Sequence, residues 1–247
     1  MLRAVKRLVE KFFGIYLLKK LPRGVNFYAD LTHFFPTYKV NVVFDVGANV
    51  GDLASAYVIQ FPHAHIFCFE PASHTYGILE RKFKGNDRVS CFRKALGASE
   101  SEAALILEGS SDMFYISDPL KEIKIGEKRD AESVVVTTLD SFCNANNIHH
   151  INYVKIDTEG YELEVLKGAS GMLAAHNIDF IEVEAGMNPG NMRHVPMEIL
   201  KDFFEKYQYV LFGFYEQVHE WPTKEPHLRR ANLIFLSRTM IEKKYGS

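Results

Sequence analysis

The stretch VVFDVGANVGDLASAY, residues 42–57, decides the fold of this chain. Its first residues, Val42–Phe44, are apolar and mostly β-branched, which is typical of a buried strand. Gly47 and Gly51 then indicate a tight turn, and helix-forming residues follow from Asp52. A strand that turns through glycines into a helix brings bare backbone close to a ligand. The stretch therefore predicts a nucleotide-type pocket at the carboxyl end of a central parallel strand.

The residues around this turn favour one cofactor over others. A dinucleotide-binding turn has the pattern G-x-G-x-x-G, whereas this turn has Asn49 where the second glycine would face a pyrophosphate. The charge of Asp45 would repel a phosphate but attract an ammonium group. Glu70, which ends the next apolar run, can accept hydrogen bonds from both ribose hydroxyls. S-adenosylmethionine therefore fits better than NAD or ATP, although a glycine turn alone would also suit an ordinary strand–helix connection.

The composition fits one large α/β domain of 247 residues. Apolar residues make up 47% of the chain and charged residues 24%, which argues against disorder. A net charge of -2 gives no overall basic field, so we expect no nucleic-acid partner. The three cysteines form no CxxC pair, which favours a reducing compartment. Since no signal-peptide cleavage signature is visible, we expect a cytoplasmic protein.

Residues 1–24 differ in charge from the rest of the chain. They hold seven basic residues and one acid, while the remainder has 22 basic and 30 acidic residues. Apolar residues recur at helical spacing, which predicts a basic amphipathic helix whose longest apolar run is too short to span a bilayer. We expect this helix to pack on its own domain, to act as a lid, or to make peripheral contact with an anionic membrane. With the aromatic cover segment that follows, it makes residues 1–40 one unit and 41–240 the main domain.

Strand-like and helix-like segments alternate along the main domain. This alternation predicts a doubly wound, mostly parallel sheet of seven strands, in which the last two form an antiparallel edge hairpin. Residues 109–132 have the polar composition of an exposed insertion. The predicted strands are residues 41–45, 65–70, 89–93, 153–157, 180–184, 209–215 and 233–237, with weaker strands at 103–108 and 134–138.

Four segments of the chain resemble the FkbM family of S-adenosylmethionine-dependent methyltransferases. They are FDVGANVGD (44–52), FEP (69–71), VTTLD (136–140) and KIDTEGYELEVLKGA (155–169). The last is the most specific, because the glycine turn would suit any Rossmann-like methyltransferase. The resemblance covers roughly residues 42–185 and implies a Rossmann-like class I fold. It also implies methyl transfer to a hydroxyl of a sugar, glycan or specialised metabolite, without identifying the acceptor.

The cofactor is expected at the carboxyl ends of the parallel strands. There the glycine turn would lie along the methionine moiety, with Asp45 near its ammonium directly or through water. Glu70 would bind the ribose, Ala95 and Leu96 would touch the adenine, and Asp157 would lie near the sulfonium. The expected cofactor-binding residues are Asp45, Gly47, Asn49, Gly51, Glu70, Pro71, Ala95, Leu96 and Asp157.

A hydroxyl acceptor needs a group that takes its proton or offsets its charge. Carboxylates close together could instead hold Mg²⁺, which would acidify a bound hydroxyl, but we assign no metal ligands. The candidate catalytic residues are Asp157, Glu159, Glu184 and His194.

Each candidate also has a structural interpretation. Asp157 and Glu159 could cap the helix that follows them. Glu184 could pair with Lys155 on a neighbouring strand, and His194 could be an ordinary loop residue. Glu162 is expected on a helix surface or in an ion pair.

Two other functional classes remain open from sequence. A non-catalytic binding module could keep a Rossmann-like shell, but the three acids expected at the cofactor are all present. An NAD-linked oxidoreductase is weakened by Asn49 and by the lack of a Tyr-x-x-x-Lys dyad after a strand. A nucleic-acid methyltransferase is disfavoured because no N/D-P-P-Y/F motif occurs. The oligomeric state is not predicted.

Overall fold

The computed structural model describes residues 11–14, 18, 20–107, 114–116, 130–188, 190–191, 193–220 and 223–246. The chain divides into two compact units, Met1–Thr37 and Tyr38–Ser247. Among the described residues, no helix is both long enough and apolar enough to cross a bilayer.

The first unit contains helix α1, Phe27–Phe34. The Asn26 side chain begins it by accepting a hydrogen bond from the backbone N–H of Ala29, as an N-cap residue does. Residues 11–13 are also helical. Most of the basic amphipathic helix predicted over residues 1–24 lies outside the described residues.

The second unit contains the remaining strands and helices. In chain order the strands are β1 Val42–Val46, β2 His65–Phe69, β3 Val89–Phe92, β4 Ala95–Leu96, β5 Ser101–Ile106, β6 Tyr115–Ile116, β7 Ala131–Thr137, β8 Ile151–Ile156, β9 Ile178–Gly186, β10 Tyr209–His219 and β11 Leu228–Ser237. The helices are α2 Asp52–Gln60, α3 Ser73–Phe83, α4 Leu139–Ala145, α5 Glu162–Lys167, α6 Ser170–Ala174, α7 Met197–Lys206 and α8 Arg238–Tyr245.

Seven strands form the main sheet, in the order β10-β11-β9-β8-β1-β2-β3. The strands β9, β8, β1, β2 and β3 pair parallel with one another in this order, whereas β11 pairs antiparallel with both β9 and β10. This architecture confirms the predicted α/β fold, a mostly parallel seven-stranded sheet with an antiparallel edge hairpin. Because the parallel strands end at one edge, side chains that follow β1, β2, β8 and β9 are brought together there.

The central strands are buried on both faces. Every residue of β8 and β9 is buried, including the charged residues that alternate with their apolar ones. Phe44, Phe69 and Phe142 pack together on one face as part of the main core. On the other face the strands carry buried charged groups, including Asp45, Lys155 and Glu182. The sheet therefore separates an apolar core from a buried polar layer.

A second sheet of four short strands, in the order β4-β7-β5-β6, was not predicted from sequence. Its outer strand β6 lies inside residues 109–132, the segment predicted as an exposed insertion. The described residues Phe114, Tyr115 and Ile116 are half-buried, so this part of the segment is not a fully exposed loop. The pairing depends on contacts with Ser101–Ile106, which are distant in sequence and leave no local signal.

Candidate active site

A cavity of about 250 Å³ opens at the carboxyl ends of β1, β2 and β8. The second sheet contributes one wall through Leu105 and residues 114–116, and the glycine turn contributes another. Seven of the nine residues expected at the cofactor line this cavity. They are Gly47, Asn49, Glu70, Pro71, Ala95, Leu96 and Asp157.

The glycine turn is held by close backbone packing. Gly47 has a φ of +82°, and a Cβ there would lie 1.9 Å from the carbonyl oxygen of Asp157. The N–H groups of Gly47 and Ala48 both donate to the carbonyl oxygen of Phe69. The turn is thereby fixed to the ends of both neighbouring strands, in a space that only glycine fits.

Gly51 has a different role from the one expected. It is not among the residues that line the cavity. Its φ is +80°, and a Cβ would lie 2.6 Å from atoms of both Leu79 and Phe83. Gly51 therefore allows the start of α2 to pack tightly against α3, and no contact with the methionine moiety follows from its position.

Asp45 lies within β1, behind the cavity, and not on the rim where sequence reasoning places it. Its side chain is buried, and its Oδ2 atom has no hydrogen-bond partner among the described residues. Burial raises the pKa of Asp45 to about 7, although the nearby Lys155 acts in the opposite direction. A buried carboxylate oxygen without a donor is costly, so this position favours the approach of a cation or water.

Glu70 is a firmly held carboxylate at the cavity. Its Oε2 accepts a hydrogen bond of 2.9 Å from the backbone N–H of Asn49, and its Oε1 accepts one of 2.9 Å from Ala72. Burial raises the pKa of Glu70 to about 7, despite these two hydrogen bonds. Because each oxygen has a second lone pair, the carboxylate keeps acceptor capacity for a ligand.

Asp157 is held at the end of β8 by Lys155. The Lys155 Nζ lies 2.9 Å from Asp157 Oδ2 and 4.0 Å from Glu182 Oε1. Burial opposes ionisation of Asp157, but the charge and hydrogen bond of Lys155, together with nearby Arg230 and His194, outweigh it, so the pKa of Asp157 is lowered. The expected Lys155–Glu184 pair is wrong, because the parallel register places Lys155 opposite Glu182.

Glu159, Glu184 and His194 form a cluster next to the cavity, with potential ligand atoms all within 4.8 Å of one another. We call these three residues the acceptor cluster. The His194 Nε2 atom lies 2.6 Å from Glu184 Oε2 and 3.7 Å from Glu159 Oε2. His194 is buried, so the ordinary loop interpretation of this residue is wrong.

Two arginines that sequence reasoning missed hold the carboxylates of this cluster. Arg193 Nε donates to Glu159 Oε2, and Arg230 Nη1 donates to Glu184 Oε1. Burial raises the pKa of Glu159, although Arg193 acts against it. No sequence signal links Arg230 to the site, because only the antiparallel register of β11 places it beside β9.

Glu162 is a buried carboxylate and not a helix-surface residue as expected. Its Oε1 atom accepts hydrogen bonds from the backbone N–H groups of Thr158 and Gly160. Burial raises the pKa of Glu162 to about 7. Glu162 therefore shapes the turn that carries Glu159, whose φ is 55°. The one sequence signal for a structural role of Glu162 was its position within the motif of residues 155–169.

The chain is similar in sequence to known methyltransferases. A model of the methyltransferase FkbM domain matches residues 45–211. The hexuronic acid methyltransferase AglP of Haloferax volcanii is 30% identical over 152 residues, covering 60% of this chain and 58% of that protein. Methyltransferase sdnD of Sordaria araneosa is 29% identical over 158 residues, covering 51% of this chain and 59% of that protein. The chain thus spans somewhat more than half the length of these curated relatives.

Solved structures with similar backbones are more distant in sequence. A precorrin-6y C5,15-methyltransferase from Geobacter metallireducens has a TM-score of 0.44 and 10% identity, covering 91% of this chain and 95% of its own. The TrmK protein of M. capricolum, solved with S-adenosylhomocysteine, has a TM-score of 0.45 and 11% identity, covering 87% of this chain and 70% of its own.

Proposed function

Because this chain belongs to the FkbM methyltransferase family, we propose that it transfers the methyl group of S-adenosylmethionine to a hydroxyl of a sugar, glycan or specialised metabolite. The observation that carries the proposal is the meeting of two features at one edge of the sheet. A cavity lined by a glycine turn and an anchored acid, Glu70, lies next to a buried cluster of carboxylates and an imidazole. The cavity suits the cofactor, and the cluster suits an acceptor hydroxyl that must lose a proton.

The cofactor would lie in the cavity with its ribose at Glu70. The backbone of Gly47 and Asn49 would border the methionine moiety, and Ala95 and Leu96 would contact the adenine. The unpaired oxygen of Asp45 fits a nearby positive charge, so we assign it to the ammonium group through water. These residues fit S-adenosylmethionine, which when bound supplies an electrophilic methyl group whose bond to sulfur breaks as the new carbon–oxygen bond forms.

The acceptor would enter between the cavity and the acceptor cluster. Asp157 and Glu159 line the cavity, and Glu159 also belongs to the cluster, so these two residues mark the boundary. The acceptor hydroxyl would give its proton to a basic group there, while the electron pair of the broken carbon–sulfur bond remains on sulfur. Holding the hydroxyl in line with the methyl group supplies most of the acceleration. We keep Asp157, Glu159, Glu184 and His194 as the candidate catalytic residues.

Hexuronic acids are the first acceptors to test, because the Haloferax volcanii relative is a hexuronic acid methyltransferase. The site also has guanidinium groups at Arg193 and Arg230, which would tolerate an acidic sugar near two carboxylates. A cytoplasmic location, the absence of a nucleic-acid partner and membrane contact through residues 1–24 stay proposals from the sequence.

Calorimetric titration with S-adenosylmethionine and, separately, NAD⁺ tests the cofactor. We expect the wild-type protein to bind S-adenosylmethionine alone, and Glu70→Ala to weaken that binding. A screen of hexuronic acids and neutral sugars with labelled S-adenosylmethionine then tests transfer to oxygen. Folded protein that binds the cofactor but methylates no acceptor would favour a binding module, and selective binding of NAD⁺ would favour an oxidoreductase.

A further inference from the structure

Asn191 fixes the orientation of the His194 ring in the acceptor cluster. The Asn191 Oδ1 atom accepts hydrogen bonds from the backbone N–H groups of Arg193 and His194, at 3.2 and 3.4 Å. Its Nδ2 atom donates to the carbonyl oxygen of Arg229 at 3.0 Å. These bonds fix which end of the amide is oxygen, so His194 Nδ1, 3.0 Å from Oδ1, must carry a hydrogen.

The remaining ring nitrogen of His194 faces two carboxylates. The other ring nitrogen, Nε2, lies 2.6 Å from Glu184 Oε2. No hydroxyl can reach Nε2 without displacing Glu184, which makes His194 a poor independent base. One imidazole nitrogen and two carboxylate oxygens lie within 4.8 Å of one another, close enough to bind one metal ion together.

Each of these three groups is held from outside by a further residue. Asn191 orients His194, Arg230 binds Glu184 Oε1 and leaves Oε2 directed at the imidazole, and Arg193 binds Glu159. Such outer partners are typical of metal ligands, because they fix the ring tautomer and the carboxylate orientation. The arginine side chains are 30% and 34% exposed, so solvent screens part of their repulsion of a cation.

We propose that Glu159, Glu184 and His194 bind one divalent first-row transition cation. An imidazole nitrogen among the ligands favours Mn²⁺, Fe²⁺ or Zn²⁺ over Mg²⁺, which prefers oxygen ligands alone. Three ligands from protein leave coordination positions open toward the cavity that Glu159 also lines.

The ion gives the site a way to hold the acceptor. It would orient the acceptor hydroxyl and offset the negative charge that develops on its oxygen. This role rests on the proposed methyl transfer, whereas binding of the ion does not. An experiment can therefore disprove methyl transfer without disproving ion binding, and the reverse.

Binding of Mn²⁺ to protein treated with EDTA and then dialysed tests the proposal, with free Mn²⁺ measured by its electron paramagnetic resonance signal. We expect about one bound Mn²⁺ per chain. Glu184→Gln and His194→Gln should each weaken binding by more than about tenfold. Asn191→Leu, which keeps all three ligands and frees the ring, should weaken it by about 10–100-fold. Glu205→Gln, an exposed acid on α7 paired with Lys201, is the matched control and should bind as the wild type does.

The far-UV circular dichroism spectrum and the thermal transition of each variant, measured in parallel, report that the variant is folded, and binding of S-adenosylmethionine is measured separately. If His194→Gln or Glu184→Gln does not fold, Glu159→Gln at the more exposed edge of the cluster replaces it. Absence of Mn²⁺ and Zn²⁺ binding by folded wild type would overturn the proposal, as would equal binding by wild type and the ligand variants. Ion binding without cofactor binding would keep the metal site and remove the methyltransferase proposal.

Discussion

The cofactor cavity and the acceptor cluster lie side by side at one edge of the sheet, but they are built differently. The cavity uses backbone and local motifs: Gly47 and its neighbours are within twenty-five residues of Glu70. The acceptor cluster uses side chains from separate segments: Glu159 follows β8, Glu184 lies in β9 and His194 lies in the loop after β9. Arg230 of β11 then binds Glu184 from outside the cluster. A cofactor common to many enzymes can be held by a short local geometry, whereas an acceptor site assembled from distant residues can change without altering the cavity.

A substitution in the glycine turn of the cavity should have the largest effect on stability and cofactor binding. Gly47→Ala places a Cβ 1.9 Å from a backbone oxygen, so we expect a loss of more than about 4 kcal/mol in the free energy of unfolding and no cofactor binding. Gly85→Ala is the matched control, because Gly85 has the same φ of +82° with nothing within 4 Å of the added Cβ. It should lose about 1–2 kcal/mol. Urea unfolding of both variants measures the difference, and equal losses would contradict the role of the close approach.

Lys155 connects the two regions, and its removal should have the next largest effect. Burial alone lowers the pKa of Lys155, but Asp157 and Glu182 outweigh it and raise the pKa. Lys155→Met leaves these carboxylates without their buried cation, and we expect a loss of about 3–5 kcal/mol in chemical denaturation. Lys167→Met, which removes an exposed pair with Glu164, should cost less than about 1 kcal/mol. Similar costs for both lysines would show that the buried charge layer is not needed for stability.

Glu70→Gln separates cofactor binding from stability. The amide keeps the size of the side chain but removes the charged acceptor, so we expect the dissociation constant for S-adenosylmethionine to rise about 10–100-fold. Glu80→Gln, an acid on the exposed side of α3 that pairs with Tyr76, should leave cofactor affinity unchanged. Mn²⁺ binding should be the same in both variants, since Glu70 lies outside the acceptor cluster. A loss of Mn²⁺ binding in Glu70→Gln would show that the two regions are not independent.

The smallest expected effect is a pH dependence of cofactor affinity, caused by Asp45 and Glu70 near the cavity. Burial raises the pKa values of Asp45 and Glu70 to about 7, so both carboxylates gain charge between pH 6 and 8. Cofactor affinity should rise with pH in this range, by roughly tenfold for each group that must be ionised. Calorimetry at pH 6, 7 and 8 measures the rise, and Asp45→Asn and Glu70→Gln should each flatten it.

The stability of the protein without cofactor should follow pH in the opposite direction. A carboxyl whose pKa is raised by folding binds its proton more tightly in the folded than in the unfolded state. These groups therefore contribute stability below the unfolded pKa of about 4, and that contribution is lost as pH rises towards 7. Asp157, whose pKa is lowered, stays ionised over pH 5–8 and adds no slope. Thermal melts between pH 5 and 8 that rise with pH would contradict this assignment.

The main sheet and the glycine turn were predictable because their signals are local. Strand and helix alternate with clear periodicity, and the motif at residues 42–57 reports the turn directly. The depth of Asp45, one residue before the end of β1, and the packing role of Gly51 depend on neighbours that no single segment reveals. Predicted pairing of Lys155 with Glu184 failed for the same reason, since a shift of two residues in register changes the partner. The roles of Asn191 and Arg230 could not be predicted, because neither residue lies in a recognisable sequence motif.

The loop after β9 has its two ends fixed to each other. The N–H of Gly186 donates to the carbonyl oxygen of Val195 at 2.9 Å, and Gly186 forms a parallel bridge with Pro196. Between these anchors lie Asn191 and His194, so part of the acceptor cluster is carried on a segment whose entry and exit are already closed. Residues 187–195 can therefore be exchanged as one loop between relatives, joined at Gly186 and Pro196. Such an exchange would alter the range of acceptors and leave the parallel sheet and the glycine turn unchanged.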